Sequence, residues 1–387
     1  MAILRVPYTD PLPLPKIIPT SASTTSGAIG ALVDFLLPSL SASRPYLRGT
    51  SPVKRGNGKT LLLTGAGISV ASGLADYRGP KGTYTQNKSY KPIYYNEFCE
   101  NHEARKRYWA RSFLGWTNLD KARPNRAHDA CGHLGRLGVV GRVITQNVDS
   151  FHPKAHPHLP TTELHGYLRS LVCITCRNEY DRRLFQDQLA ALNPAWASFL
   201  EEMLASGALD SENPDERRRK GLKTNPDGDA DVPDAPYTTF RYPPCPTCLQ
   251  APPRKADGGF VKVEVDHEGA WKPGSEGGVL KPAVIMFGES IPARTKVAAE
   301  EAVDEAGRLL VIGSSLATYS AWRLVKKAKE QGLPVGILNM GGARGEEAFF
   351  KDVEDGNTGR EAVRISEDVT KVLPQVVKIL EKMKTAF

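Results

Sequence analysis

Four cysteines of the sequence form two Cys-x-x-Cys pairs, a spacing that can bring two thiolates to one metal ion. The pairs are Cys173 with Cys176 and Cys245 with Cys248. Two such pairs supply the four sulfur ligands of a closed tetrahedral zinc site, whereas a redox-active Cys-x-x-Cys is a single pair. A closed site has no open coordination position, so we expect this zinc to stabilise a small module and to take no part in catalysis.

A second set of candidate residues carries amide, carboxylate and imidazole groups. Gln146, Asn147 and Asp149 follow one apolar run, and His165 stands shortly before the first cysteine pair. Amide donors and acceptors beside a carboxylate suit a carboxamide ligand, and a nearby imidazole can serve as a general base. A lone histidine is more often structural, so a catalytic His165 requires that the fold bring these residues together.

A glycine-rich turn, Gly65-Ala66-Gly67, follows another apolar run and is expected to open a helix. Backbone N–H groups at such a turn can face a pyrophosphate. The standard dinucleotide fingerprint is not met, because Val70 stands where its third glycine is expected and the usual later acid is absent. The loop continues into Asp76-Tyr77-Arg78, which predicts a lid that folds over a cofactor.

Short apolar runs that end in small or polar residues must position these groups. Runs that are apolar on both faces are typical of buried parallel strands. They cover residues 61–63, 143–144, 284–287, 309–312 and 335–338. Helices are predicted over residues 28–37, 185–204 and 320–330 and at the chain end, where Pro374 indicates a kink or restart. Alternating strands and helices predict an α/β fold, a Rossmann-like doubly wound parallel sheet with a smaller zinc-binding domain inserted.

Composition places the chain among ordinary globular proteins. Its 387 residues are 40% hydrophobic and 24% charged, which excludes collagen-like and wholly disordered classes. No apolar run approaches the roughly 18 residues of a spanning helix, so we expect no membrane partner. The net charge of +8 permits nucleic acid binding, but charge alone is weak evidence and we do not expect that partner. Six cysteines are too few for a disulfide scaffold and favour a reducing compartment.

Taken together and in this order, the motifs resemble those of the sirtuin family over about residues 28 to 387. They are Gly65-Ala66-Gly67-Ile68-Ser69, Asp76-Tyr77-Arg78, Thr145-Gln146-Asn147-Val148-Asp149, Leu164-His165-Gly166, the cysteine pairs, Phe287-Gly288-Glu289, Gly313-Ser314-Ser315-Leu316 and Leu338-Asn339. The stretch Arg107-Tyr108-Trp109-Ala110-Arg111 is similar to the class II branch represented by mitochondrial sirtuin 4. Departures from the family pattern include Ala71, Ala75 and His156, the last in the loop on the nicotinamide side.

The resemblance implies an NAD-dependent protein-lysine deacylase. In that family the acyl oxygen attacks C1′ of the nicotinamide ribose and nicotinamide leaves. The histidine that matches His165 then activates a ribose hydroxyl, and the products are the free lysine and O-acyl-ADP-ribose. NAD is thus a consumed co-substrate, zinc is structural, and acylated protein lysines are the expected partners. A mono-ADP-ribosyltransferase on the same site and a catalytically silent NAD- or nucleic-acid-binding module stay open as alternatives.

The resemblance also implies roles for individual residues, with His165, Asn147 and Asp149 as the catalytic set. The expected NAD contacts are Gly65, Ala66, Gly67, Ser69, Asp76, Tyr77, Arg78, Gln146, Asn147, Asp149, Gly313, Ser314, Ser315 and Asn339. Phe287, Gly288 and Glu289 are expected to flank a substrate peptide that pairs as an added strand. Tyr108 and Arg111, three apart on a helix, resemble a pair that reads acidic acyl tails. An ordinary helical surface pair is the alternative.

Domain boundaries and location follow from the same pattern. We interpret residues 1–27 as a flexible leader or a targeting segment and residues 28–387 as the catalytic domain. Within it, residues 50–165 and 279–387 are expected to bind NAD, and about residues 166–278 to form the zinc module. We expect a mitochondrial location, with cytoplasm or nucleus as alternatives. The sequence leaves the oligomeric state, the acyl group and the protein targets open.

Overall fold

The computed structural model describes residues 12–37, 58–86, 92–206, 223–224, 229–232, 235–354 and 359–385. The strands are β1 (Thr60–Thr64), β2 (Val140–Thr145), β3 (Thr161–Glu163), β4 (Gly166–Cys173), β5 (Glu179–Asp181), β6 (Lys223–Thr224), β7 (Ala230–Asp231), β8 (Leu280–Val284), β9 (Arg308–Ile312), β10 (Val335–Leu338) and β11 (Ala362–Ile365). The α-helices are α1 (Thr25–Leu36), α2 (Thr83–Gln86), α3 (Tyr95–Glu100), α4 (His102–Lys121), α5 (Arg126–Arg136), α6 (Phe151–Ala155), α7 (Arg182–Leu192), α8 (Pro194–Ala205), α9 (Pro246–Gln250), α10 (Ala293–Glu305), α11 (Tyr319–Glu330), α12 (Glu346–Phe349) and α13 (Val369–Thr385). Short 3₁₀ helices cover Thr20–Ser23, Ala66–Ser72 and Tyr237–Thr239.

Six strands form a parallel sheet in the order β3-β2-β1-β9-β10-β11. The chain moves outward from β1 in one direction and, from β9 onward, in the other. In doubly wound sheets the point where the strand order reverses opens a crevice at the carboxyl ends of the strands. The topology therefore predicts a ligand in the crevice beyond the carboxyl ends of β1 and β9, and the predicted fold class is confirmed.

Helices cover both faces of this sheet, as the strand composition requires. Leu62 packs into the cluster formed with α1, α5 and α13, while Leu61 and Leu63 pack into the opposite cluster with α10 and α11. This alternation follows from the two-residue period of a strand. The predicted helix over residues 28–37 is confirmed as α1, with the Thr24 side chain accepting from the Gly27 N–H at its N-cap.

The described part of the expected leader packs against the same sheet. Ile18 is buried at 2% exposure, and it exchanges two backbone hydrogen bonds with Arg364 in β11. These bonds satisfy backbone groups at the outer edge of β11. The loose character expected of residues 1–27 therefore does not hold between Ile18 and Ser23, and residues 1–11 lie outside the described residues.

The prediction of a parallel strand over residues 284–287 is wrong. The strand in this region is β8, which pairs antiparallel with β4 in a second, three-stranded sheet of order β5-β4-β8. After Val284 the chain leaves that sheet as a loop. An apolar run shows that a segment is buried but not which sheet it joins.

The single helix predicted over residues 185–204 is two helices. α7 ends before Asn193 and α8 begins at Pro194, whose ring cannot donate the N–H that a continuous helix needs. The Asn193 side chain bonds to the carbonyls of Leu189 and Arg241, which fixes the corner between the helices.

Two predicted helices agree with the structure. α11 covers the helix expected over residues 320–330, and α13 is the helix expected at the chain end. α13 continues through Pro374 as one helix, so the helix does not restart there. Within the described residues, none of the helices combines the length and apolar character that a membrane span requires.

Candidate active site

Five strands of the parallel sheet end at one edge, and each is followed by a residue of the predicted site. Gly65 follows β1, Gln146 follows β2 and Gly313 follows β9. His165 lies just beyond β3, and Asn339 follows β10. Because the neighbouring strands are parallel, these residues line the crevice around the β1–β9 switch point. The structure thus brings together the residues on which a catalytic role for His165 depends.

Three glycines let the loops after β1 and β9 pack backbone against backbone. A Cβ on Gly67 would lie 2.8 Å from the Cα of Gly313, and one on Gly65 would lie 2.7 Å from the Cβ of Ser314. Gly313 has a φ of +60°, which favours glycine. The Gly65 and Gly67 N–H groups donate to the carbonyls of Ile312 and Gly313, so these two amides join the loops. The predicted helix after the turn begins at Ala66 as a 3₁₀ helix.

The amide and carboxylate after β2 are fixed by Ser69. The Asn147 Nδ2 donates to the Gly65 carbonyl at 3.2 Å and to the Ser69 Oγ at 3.1 Å. The Ser69 hydroxyl in turn donates to the Asp149 Oδ2 at 2.7 Å, and the Phe151 N–H donates to Oδ1. Burial raises the pKa of Asp149, and the Phe151 and Ser69 hydrogen bonds oppose that rise. Three residues expected to contact NAD therefore form one buried hydrogen-bonded group.

Gln146 joins the loops that follow β2 and β9. Its Nε2 donates to the Ser314 hydroxyl at 2.8 Å, and its Oε1 accepts from the Thr318 hydroxyl at 2.9 Å. Its backbone carbonyl lies 3.1 Å from the His165 Nδ1. A carbonyl oxygen can only accept, so Nδ1 carries the proton of the neutral ring. One residue thus connects the β9 loop with the imidazole.

His165 is buried beside the first turn of α11. Its Nε2 lies 2.8 Å from the Ser320 Oγ. Burial lowers the pKa of His165 to about 4, which the hydrogen bond to the Gln146 carbonyl partly offsets. At pH 7 the imidazole is therefore neutral, with the Nε2 lone pair as its basic position. The sequence predicted His165 but gave no reason to assign Ser320.

The remaining expected NAD residues lie in loops that fold on themselves. In the segment after Gly73 the Asp76 carboxylate accepts from the Gly79 N–H, and Tyr77 stacks on Tyr84 at 5.5 Å between ring centroids. The Arg78 guanidinium lies 5.2 Å from the Tyr84 ring centroid. Burial raises the pKa of Asp76 and lowers that of Arg78. At the opposite side, the Ser315 carbonyl accepts from the Arg344 N–H and the Asn339 side chain bonds to the Gly341 carbonyl.

A buried ion pair shapes the loop expected to hold substrate. The Lys281 Nζ donates to the Val284 carbonyl and to the Glu289 Oε2, at 3.0 Å for the latter. The Met286 N–H donates to the same carboxylate oxygen. Tyr95 N–H donates to the Phe287 carbonyl, and Gly288 takes a φ of +84°. Burial lowers the pKa of Lys281, which the neighbouring Glu289 opposes. The sequence predicted Glu289 here but not its lysine partner.

Tyr108 and Arg111 do not form an exposed helical pair. Tyr108 packs edge-on against Phe98 at 5.3 Å between centroids, and Arg111 is buried. The Arg111 guanidinium lies 2.9 Å from the carboxylate of Asp229, which comes from the inserted segment. The alternative of an ordinary surface pair is therefore wrong, and Arg111 already has an acidic neighbour.

The four cysteines of the two Cys-x-x-Cys pairs converge as their spacing predicts. Their sulfurs all lie within 4.8 Å of one another, with 3.6 Å between Cys173 and Cys248 and also between Cys176 and Cys245. Tetrahedral zinc with Zn–S bonds of about 2.3 Å places its sulfurs roughly 3.8 Å apart. Backbone N–H groups of Thr175 and Cys176 point to the Cys173 sulfur. The cluster is compatible with a structural zinc ion.

Three histidines form a buried layer behind the loop that follows Asp149. His152 lies 2.9 Å from the Thr64 hydroxyl through Nε2 and 2.8 Å from the His156 ring through Nδ1. The His128 ring is 5.0 Å from that of His152. Burial lowers the pKa of His128 to about 3 and that of His152 well below its usual value. His156, a departure from the family pattern, has space because Gly132 lacks a side chain: a Cβ there would lie 2.8 Å from that of His156.

Comparisons with known proteins give the chain its relatives. Residues 65–320 match the Sir2 family. The NAD-dependent protein deacylase SIR4 of Batrachochytrium dendrobatidis is 38% identical over 331 residues, which cover 84% of this chain and 89% of that protein. The bovine NAD-dependent protein lipoamidase sirtuin-4, mitochondrial, is 33% identical over 290 residues, covering 75% of this chain and 76% of that protein. A solved structure described as the structural basis for the mechanism and regulation of Sir2 enzymes has 26% identity and a TM-score of 0.50, covering 84% of this chain and 93% of that one.

Proposed function

Because the chain belongs to the Sir2 family, we propose that it is an NAD-dependent protein-lysine deacylase. The observation that carries the proposal is the position of His165. Its neutral imidazole lies at the strand edge and is hydrogen-bonded to the carbonyl of Gln146, the residue that directly precedes Asn147. A general base must lie within hydrogen-bond reach of the proton that it removes, and ligands of doubly wound sheets generally bind at this edge.

We assign the nucleotide side of the site to the loops after β1, β2 and β9. Asn147 and Asp149 would hold the nicotinamide and its ribose, and Ser69 keeps both side chains in place. Where Gly67 packs on Gly313, the loops after β1 and β9 meet backbone to backbone with no side chain between them. Phosphates can approach a backbone there more closely than they could approach side chains. Asp76, Tyr77 and Arg78 would cover the bound nucleotide as a lid.

The residues of this chain have two tasks in the reaction. The first is to orient the nicotinamide ribose, so that the acyl oxygen attacks C1′ as nicotinamide leaves; this falls to Gln146, Asn147 and Asp149. The second is to accept a proton, which falls to His165. Its Nε2 takes the proton of a ribose hydroxyl while the hydroxyl oxygen forms its new bond to the acyl-derived carbon. Burial keeps Nε2 unprotonated at pH 7.

We place the substrate peptide along Phe287, Gly288 and Glu289. The loop lies directly beside His165, because the Ile285 N–H donates to the His165 carbonyl at 2.7 Å. A peptide added as a strand needs free backbone groups at a fixed spacing. The Lys281–Glu289 ion pair holds this loop in shape through the Val284 carbonyl and the Met286 N–H.

We further propose that any acidic acyl tail competes with Asp229 for Arg111. The two side chains are 2.9 Å apart and both are largely buried, so a carboxylate would gain the guanidinium only by displacing a partner of the same charge. The expected result is a preference for uncharged acyl groups, reversed toward glutaryl or succinyl peptides in Asp229→Asn. Equal rates on acetyl and glutaryl peptides, unchanged in Arg111→Ala, would rule out a role for this pair.

The similarity to a relative named as mitochondrial leads us to propose a mitochondrial location. The first residues of the chain would then serve as a targeting segment. A fluorescent fusion of the full chain, compared with one that starts at residue 12, tests this location. Retention of both fusions in the cytoplasm would contradict it.

The proposed function is tested with NAD and a pooled library of acyl-lysine peptides. We expect nicotinamide release together with loss of the acyl group from the peptide in wild type, and loss of at least 100-fold of the deacylated product in His165→Ala. Mass spectrometry of the peptide distinguishes deacylation from gain of ADP-ribose. A wild-type protein that releases no nicotinamide in response to acylated peptides would overturn the proposal.

A further inference from the structure

We propose that Ser320 is a positioning residue for His165, an inference that rests on the proposed function of that histidine. Ser320 belongs to the first turn of α11, and its hydroxyl lies 2.8 Å from the His165 Nε2. Both side chains are buried, at 5% and 9% exposure. Ser320 therefore contacts the one ring nitrogen that the proposed reaction protonates.

The direction of this hydrogen bond follows from the other side of the ring. Nδ1 must donate, because its partner is the Gln146 carbonyl. In the neutral ring Nε2 is then the acceptor, and the Ser320 hydroxyl is the donor. Because Nε2 has a single lone pair, the Ser320 hydroxyl turns its hydrogen away when a ribose hydroxyl delivers its proton to Nε2. The protonated Nε2 then donates, and the Ser320 oxygen accepts. Ser320 can thus serve as a partner in both protonation states.

The position of Ser320 is itself fixed by the loop that precedes α11. Thr318, the residue before that helix, and Ser314 both bond to the Gln146 side chain. Gln146 is also the residue whose carbonyl holds the His165 Nδ1. The contacts form a closed hydrogen-bond network in which Gln146 and Ser320 bond to opposite nitrogens of the His165 imidazole. This network fixes the plane of the His165 imidazole before any substrate binds, and a preorganised base loses less orientational freedom in the reaction.

Serine in the first turns of a helix more often bonds to the backbone of its own helix. The Ser320 hydroxyl instead reaches a side chain 155 positions away. Loss of the hydroxyl should therefore leave α11 intact and free the ring to rotate about its Cβ–Cγ bond. The expected defect falls on proton transfer to Nε2 and not on the earlier departure of nicotinamide, which needs no base at this atom.

The test compares wild type with Ser320→Ala and with Lys326→Ala, an exposed position on the same helix that serves as the control. Histidine-selective ¹⁵N spectra, with His165 assigned through His165→Gln, report the hydrogen bond directly. A pyridine-type nitrogen that accepts a hydrogen bond resonates upfield of one that does not. We expect the Nε2 signal to move downfield in Ser320→Ala alone. An unmoved signal would overturn the proposal whether or not the protein is active.

Kinetics then separate positioning from general structural support. We expect Ser320→Ala to lower the rate of deacylated product about 2- to 10-fold, the loss of one hydrogen bond. Exchange of labelled nicotinamide into NAD, which reports the earlier step, should stay within twofold. Equal loss of both rates would assign Ser320 a merely structural role. A wild-type protein without acyl-dependent nicotinamide release would refute the proposed function, and the ¹⁵N shift would still decide whether Ser320 holds the ring.

Discussion

The strand-edge site and the cysteine module are held together in different ways. Around the site, backbone packs on backbone at Gly67 and Gly313, and side-chain hydrogen bonds join Asn147, Ser69 and Asp149. In the module four sulfurs converge within 4.8 Å. Thiolates at such distances repel one another unless a cation lies between them. The site is thus formed before its ligand arrives, whereas we expect the module to depend on a bound ion for its stability.

The two regions are nevertheless coupled through their strands. β4 starts at Gly166, next to His165, and runs to Cys173, a metal ligand. β8 pairs with β4 and leads into Ile285, whose N–H donates to the His165 carbonyl. The same two strands therefore support the cysteine cluster at one end and the imidazole at the other. We therefore expect that loss of the module disturbs the site.

The largest effect is expected from removing the metal. Structural zinc contributes about 10–16 kcal/mol of binding free energy in zinc-finger peptides, and a ligand such as Cys248 cannot be replaced by serine without losing much of it. We expect Cys248→Ser to lose its zinc, melt at a lower temperature and lose deacylase activity. Metal content by mass spectrometry and thermal unfolding check this prediction.

Cys99→Ser is the matched control for the metal prediction, because Cys99 lies outside the cluster. It should keep one zinc per chain and nearly the wild-type melting temperature. A Cys248→Ser protein that is fully stable and active without metal would break the comparison, since the module would then fold on packing alone.

The second largest effect is expected at low pH, and it sharpens the description of the site. His128, His152 and His165 are neutral in the folded protein because burial lowers their pKa values. In the unfolded chain each regains a pKa near 6.5 and binds a proton below that pH. Stability is therefore full above pH 6.5 and falls as the pH drops toward the folded pKa values. At pH 5.5 the loss is about 4 kcal/mol for three such histidines.

Urea unfolding at pH 7.5 and pH 5.5 measures this loss. When the protein unfolds at pH 5.5, these three histidines should together take up about three protons from the solvent. Equal unfolding free energies at the two pH values would show that His128, His152 and His165 are open to water and charged in the folded protein.

The strand edge was predictable because its elements carry local signals. β1 and β9 are short apolar runs followed by Gly65 and Gly313, and the spacing of the cysteine pairs predicts that they share one metal site. β11 gave no such signal, because Arg364 stands in the middle of it. That side chain is fully buried and paired with Glu346 at 3.0 Å, and a sequence pattern does not reveal that a charge is neutralised by a distant residue.

The contacts that cross between elements were not predictable for a related reason. The roles of Ser320, Thr318 and Lys281 depend on partners that are close only in the folded chain. The apolar run over residues 284–287 was misplaced in the parallel sheet, because only Val284 belongs to a strand and that strand, β8, pairs antiparallel with β4. The local sequence pattern thus predicted the site residues that follow the strands. Their hydrogen-bond partners are determined by tertiary packing, which the pattern does not reveal.

The third effect concerns the close packing of the two glycine loops. In Gly313→Ala the new Cβ would lie 2.5 Å from the Ile68 backbone nitrogen, at a residue with a φ of +60°. Strain of this kind costs about 1–3 kcal/mol and pushes the loops apart. We expect a lower melting temperature together with weaker NAD binding, measured by calorimetry.

Gly138→Ala provides the control for strain alone. Gly138 also has a positive φ, of +80°, but a Cβ there meets nothing within 4 Å. Its alanine variant should lose about 1 kcal/mol of stability and bind NAD as wild type does. If both variants bind NAD equally well, the β1–β9 contact is not part of the nucleotide site.

The smallest effect is expected at Thr318, and it tests whether the hydrogen bonds of the site hold the ligand or only the fold. The Thr318 hydroxyl donates to the Gln146 Oε1 at 2.9 Å and makes no N-cap bond to the amides of α11. Thr318→Val keeps the shape of the side chain and removes only that donor, while Thr318→Ser keeps the donor. One neutral hydrogen bond contributes about 0.5–1.5 kcal/mol, so we expect the KM for NAD to rise roughly 2- to 10-fold in the valine variant alone. If the melting temperature instead falls while the KM stays constant, the Thr318 hydroxyl supports the fold and does not help to hold the ligand.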